Sequence, residues 1–84
     1  MATFKIIINH AGCSEDVLTV AADLSEQAVA DIFNQFTQSV LGASTGCDFD
    51  DPIVTLDDIQ RVTANGRLYW YEMEAFLIDI YKTN

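Results

Sequence analysis

Basic residues are scarce in this chain. Lysine and arginine together number four against thirteen aspartates and glutamates, for a formal net charge of −9, and the single histidine changes little. Binding to DNA, RNA or an anionic membrane draws on clustered positive side chains. Lys5, Arg61, Arg67 and Lys82 are too few and too scattered to supply them. Cysteine is also rare. Cys13 and Cys47 cannot build a disulfide framework. With one proline and four glycines, the chain shows no internal repeat, low-complexity tract or linker. No apolar run approaches the ~20 residues of a membrane-spanning helix. The early run FKIII is short and contains a lysine, unlike the apolar region of a signal peptide. The resulting expectation is a cytoplasmic protein with reduced thiols.

Half of the residues are apolar, enough for one small core, so a single domain over residues 1–84 is expected. TFKIIIN places Phe4, Ile6 and Ile8 on one side of a strand and Lys5 and Ile7 on the other. HAGCSED supplies turn residues, and DVLTVAA reads as the second strand of an antiparallel hairpin. In DLSEQAVADIFNQFTQSVLG, the residues Ala28, Val29, Ile32, Phe33, Phe36, Val40 and Leu41 recur at helical spacing. Asp23 or Ser25 can cap the start of this helix of about 17 residues, and Gly42 can end it. GASTGCDFDDP, residues 42–52, then reads as a loop.

The last third allows two readings. In the first, Asn65-Gly66 forms a two-residue hairpin turn flanked by the strands VTA and RLYWYEM. In the second, Thr55 and Asp58 form a capping box that opens a short helix, and Asn65-Gly66 ends it. Tyr69, Met73, Phe76 and Ile80 would then mark a further helical stripe. The aromatic density of RLYWY favours the hairpin, and a short helix over 55–60 ahead of it would fit both signals. The expected fold is α+β: an antiparallel β-sheet in ββαββ order, with AFLIDIY available as a fifth C-terminal strand. One main amphipathic helix packs on one face.

The acids form a cluster. CDFDDPIVTLDD carries Asp48, Asp50, Asp51, Asp57 and Asp58 with no cation among them. A calcium loop would need glycine and glutamate where Ile53 and Ile59 stand. Phosphate-transfer chemistry on the Asp48–Asp50 pair would need a preceding apolar strand, and STGC stands there instead. His10 and Cys13 lack a third orienting group for nucleophilic catalysis, and a zinc site with Cys47 lacks a fourth ligand. GxSxG, P-loop, HExxH and CxxC patterns are missing. The chain is therefore read as non-catalytic, without cofactor or metal. Caps and turns can employ some of the aspartates. They do not neutralise the cluster, because two exposed charges ~7 Å apart repel by roughly 0.6 kcal/mol in water.

Tyr69, Trp70 and Tyr71, followed by Glu72 and Glu74, form an aromatic run rimmed by acids. In a strand the two tyrosines share one face and Trp70 takes the other. Aromatic anchors beside carboxylates suit a basic protein partner. The ten residues Asp48, Asp50, Asp51, Asp57, Asp58, Tyr69, Trp70, Tyr71, Glu72 and Glu74 form the expected partner-binding set. In size and acidity, not in motif, the chain resembles phage-encoded anti-CRISPR and nucleic-acid-mimic inhibitors and nuclease immunity proteins. The implied role is inhibition of a basic, nucleic-acid-binding protein by a monomer or homodimer, without direct contact to nucleic acid or membrane. The alternative is a structural subunit that self-associates, or joins a larger complex, through an exposed sheet face.

Overall fold

The computed structural model describes residues 2–83. The element order is β1 (Thr3–His10), β2 (Ser14–Ala21), α1 (Glu26–Thr45), α2 (Leu56–Asn65), β3 (Arg67–Glu72) and β4 (Phe76–Thr83). The four strands form one antiparallel sheet in the order β2-β1-β4-β3. Two sequential hairpins therefore lie side by side, joined through their first and last strands. The α+β class stands, with one more helix than the ββαββ expectation. AFLIDIY supplies the fourth strand, and it runs centrally rather than as an added fifth.

Strict alternation builds the covered side of the sheet. Phe4, Ile6 and Ile8 of β1 and Phe76, Ile78 and Ile80 of β4 are all buried, with Ile6 opposite Ile80 and Ile8 opposite Ile78. Leu18 and Val20 extend this layer onto β2, and Leu68 and Trp70 extend it onto β3. α1 contributes Val29, Phe33, Thr37 and Leu41, four residues apart and so on one stripe. The hydroxyl of buried Thr37 donates to the Phe33 carbonyl at 2.7 Å, so its polar atom is satisfied inside the core.

One helix boundary agrees with expectation and two differ. α1 starts on Ser25, one of the two expected caps, whose Oγ accepts from the Ala28 N–H at 3.1 Å. It passes through Gly42 and ends at Gly46, whose left-handed backbone (φ 73°) lets its N–H reach the Gly42 carbonyl at 2.8 Å. RLYWYE forms the expected strand β3, but VTA and Asn65, predicted as its partner strand and turn, belong instead to α2. The Asp58 N–H donates to Thr55 Oγ1 at 3.3 Å, and the Thr55 N–H donates to Asp58 Oδ2 at 2.9 Å, completing a capping box. Ile59 and Val62 bury its inner side. A two-residue hairpin turn needs positive φ at both central residues. Here Asn65 remains helical and Gly66 alone turns left-handed (φ 88°), capping α2 on the Val62 carbonyl at 2.7 Å.

The actual β3–β4 turn is Met73–Glu74, with φ of 54° and 58°, closed by the Ala75 N–H on the Glu72 carbonyl. The β1–β2 turn has the same form at Ala11–Gly12. The Ala11 N–H also donates to the Ala75 carbonyl at 3.0 Å, tying the two tips together. None of the helices among the described residues is long and apolar enough to cross a membrane.

Candidate interaction surfaces

The acidic segment divides at the start of α2. Asp58 spends its carboxylate on the capping box, and Asp57 pairs with Arg61 at 2.9 Å across one helical turn. Both sit at a helix N-terminus, where the backbone dipole stabilises negative charge. Asp48, Asp50 and Asp51 occupy the opposite setting. They follow the C-terminus of α1, whose last turn has no basic residue. All three are exposed, and their carboxylates have no hydrogen-bond or ion-pair partner among the described residues.

The loop that carries them is held firmly. Phe49, Ile53 and buried Val54 pack inward on the core. Asn34 Oδ1 on α1 accepts from the N–H groups of Ile53 at 2.6 Å and Val54 at 3.1 Å, and the Gln38 amide donates to the Asp51 carbonyl at 3.2 Å. Inward apolar residues and backbone clamps thus hold the loop while the aspartates between them face water. A shallow depression lined by Gln38, Gly42, Cys47, Asp48 and Phe49 lies beside it.

The aromatic run divides as alternation requires. Trp70 is half-buried on the covered side, and its indole N–H donates to the Glu72 carboxylate at 2.9 Å. Glu72 is consequently engaged within the molecule, and Glu74 is exposed at the hairpin tip. Tyr69 and Tyr71 stand on the other face of the sheet, 61% and 69% exposed. The acidic loop is clamped to α1, so the aspartates and the tyrosines occupy opposite layers. The expected set forms two surfaces rather than one.

Sequence reasoning left most of this open face unassigned. Its cross-strand rows read Val17–Ile7–Asp79–Tyr69, Thr19–Lys5–Tyr81–Arg67 and Glu15–Asn9–Leu77–Tyr71. Arg67 grips Asp79 through two hydrogen bonds, Nε to Oδ1 at 2.9 Å and Nη2 to Oδ2 at 2.8 Å. That hydrogen bonding, and then the charge of Asp79, raises the Arg67 pKa above its ordinary value. Lys5 lies 5.9 Å from the Tyr81 ring centre, and the Arg67 guanidinium 5.1 Å from that of Tyr69. The signal that could have found this face is the failure of clean polar alternation: Ile7, Val17 and Leu77 stand where a water-facing strand usually carries polar residues.

On this face Lys5 and Arg67 offset Glu15 and Asp79. The whole surplus of nine negative charges therefore lies on the helical layer, the turns and the covered side's margins.

His10 stacks on Phe76 with ring centres 4.4 Å apart, and Cys13 is exposed with its thiol directed to the Ala11 carbonyl. No three His, Cys, Asp or Glu side chains among the described residues are grouped to share a metal ion. Comparison with protein-family models, curated proteins and solved structures finds no match to this chain.

Proposed function

We propose that this chain is a non-catalytic interaction protein that docks on a basic protein surface through the aspartate loop between α1 and α2. The observation that carries this reading is the presentation of Asp48, Asp50 and Asp51. They are exposed, clamped from behind by Asn34 and Gln38, and unmatched by any cation among the described residues. A fold gains nothing by holding three such charges close together in one loop, because they repel one another. A surface rich in lysine and arginine relieves that cost.

Rigid presentation lowers the ordering cost of binding. The field of a −9 molecule also steers a cationic partner toward it. The partner class is a protein whose basic surface ordinarily holds nucleic acid, with the carboxylates taking the place of phosphates. Occupying such a surface inhibits the protein that bears it.

The test replaces all three aspartates with asparagine and compares capture of basic proteins from lysate by the two immobilised chains over a salt series. The original chain is expected to release its partner as salt rises, and the variant to lose most of its capture while keeping its circular dichroism spectrum. Capture unaffected by both salt and substitution would remove the loop from the site.

A further inference from the structure

We infer that the open face of the sheet is the contact of a homodimer, in which a second copy of this chain lies face to face and both acidic layers point outward. The inference is independent of the basic-partner reading.

Composition is the first argument. Ile7, Val17, Leu77, Tyr69, Tyr71 and Tyr81 spread apolar and aromatic side chains over all four strands around the internally paired Arg67 and Asp79, with Val17 44% exposed besides the two tyrosines. Exposed apolar patches of this kind mark contacts.

Charge decides the occupant. A basic partner gains nothing here, because this face is neutral. A second copy gains most here, because every other approach brings surplus negative charge against surplus negative charge.

Position agrees with a two-fold arrangement. Lys5 and Arg67 share one row, and Glu15 and Tyr71 share the row nearer the hairpin tips. A two-fold axis in the contact plane, running across the strands, reverses the order of the rows. Arg67 then faces Tyr71 of the second copy, and Lys5 comes beside its Glu15. The middle row meets itself, bringing together Ile7, Val17 and Tyr69 of both copies and setting opposite each other the two Asp79 carboxylates, each already held by its own Arg67. Such a contact is isologous and closed. Four strands at ~4.8 Å spacing and about seven residues at ~3.3 Å give a flat area of about 450 Å². Side-chain relief increases this toward the ~800 Å² per partner of a standard interface.

Sedimentation equilibrium over a range of concentration and salt tests the inference. A dimer that tightens as salt screens the repulsion between two −9 chains is expected. Salt acts on basic-partner capture in the opposite sense, so the two readings fail separately. Combining Tyr69→Ser with Tyr71→Ser should weaken the dimer at least tenfold with an unchanged circular dichroism spectrum. Val17→Asp, on the exposed edge strand, should do the same and serves as the second variant. The asparagine triple variant should dimerise as well as the original chain or better. A monomer at every salt concentration, a dimer that salt dissociates, or a dimer that neither face variant weakens would overturn the inference.

Discussion

The two faces of the β-sheet are made by the same strands and from similar kinds of side chain, yet they end in opposite environments. On β1, Phe4, Ile6 and Ile8 are buried while Lys5, Ile7 and Asn9 are half-buried. On β4, Phe76, Ile78 and Ile80 are buried while Leu77, Asp79 and Tyr81 stand on the uncovered side. What separates the faces is cover and charge more than hydrophobicity. α1 and α2 lie over the first face, and most of the surplus acids belong to that layer or to the turns and margins around it. The second face has apolar side chains, balanced charge and no covering element among the described residues. An apolar sheet face under helices stabilises the fold, whereas one left open is available to another molecule.

The largest expected effect breaks the covered face. Phe33→Ala removes a fully buried ring from α1 and should cost about 3–5 kcal/mol, a large share of the ~5–15 kcal/mol that holds a domain together. Leu77→Ala on the open face should cost under about 1 kcal/mol when chemical denaturation is followed in dilute solution. Equal losses at the two positions would mean that the open face is packed within the chain, and the contrast between the faces would fail.

The strength of the cover can be resolved further, because its two helices start from caps of different kinds. Thr55→Ala removes the side chain that accepts from Asp58 N–H and should cost about 1 kcal/mol. Hydrogen exchange should quicken in α2 and remain slow in α1, whose own start rests on Ser25. Equal quickening in both would show that the helices open as one unit.

The covered face was the legible part of the sequence. Its period-two and helical repeats are long, and each predicted core position on β1 and α1 reports a local pattern that packing reinforces. The middle of the chain was harder to read, because Asn65-Gly66 suits a hairpin turn and a helix end equally well. The choice depends on whether one or both residues take positive φ, which composition does not encode. The aspartates were legible as a cluster, but their division was not. It depends on where α2 begins, since the same carboxylate is a cap at Asp58 and a free charge at Asp51. The open face was hardest to read. Whether Ile7 and Leu77 are buried depends on how many helices cover the sheet and from which side, and that is decided by tertiary packing.

The β3–β4 turn offers the finest adjustment, because it changes stability without touching either face. Ala11–Gly12 and Met73–Glu74 hold the same left-handed pair of conformations, but the second turn has no glycine. Side chains in that region strain the backbone, whereas asparagine and glycine adopt it readily. Combining Met73→Asn with Glu74→Gly should therefore raise the unfolding free energy by about 0.5–1 kcal/mol, the glycine's added freedom in the unfolded chain offsetting part of the relieved strain. Thermal unfolding would show the gain as a higher midpoint, and the dimer should hold as well or slightly better, because Tyr69 and Tyr71 keep their places and each chain loses one negative charge. A lower midpoint would mean that Met73, 47% exposed, makes a contact worth more than the strain it carries. A weaker dimer at an unchanged midpoint would extend the contact onto the hairpin tip, and the boundary between the two faces would then move to include Glu74.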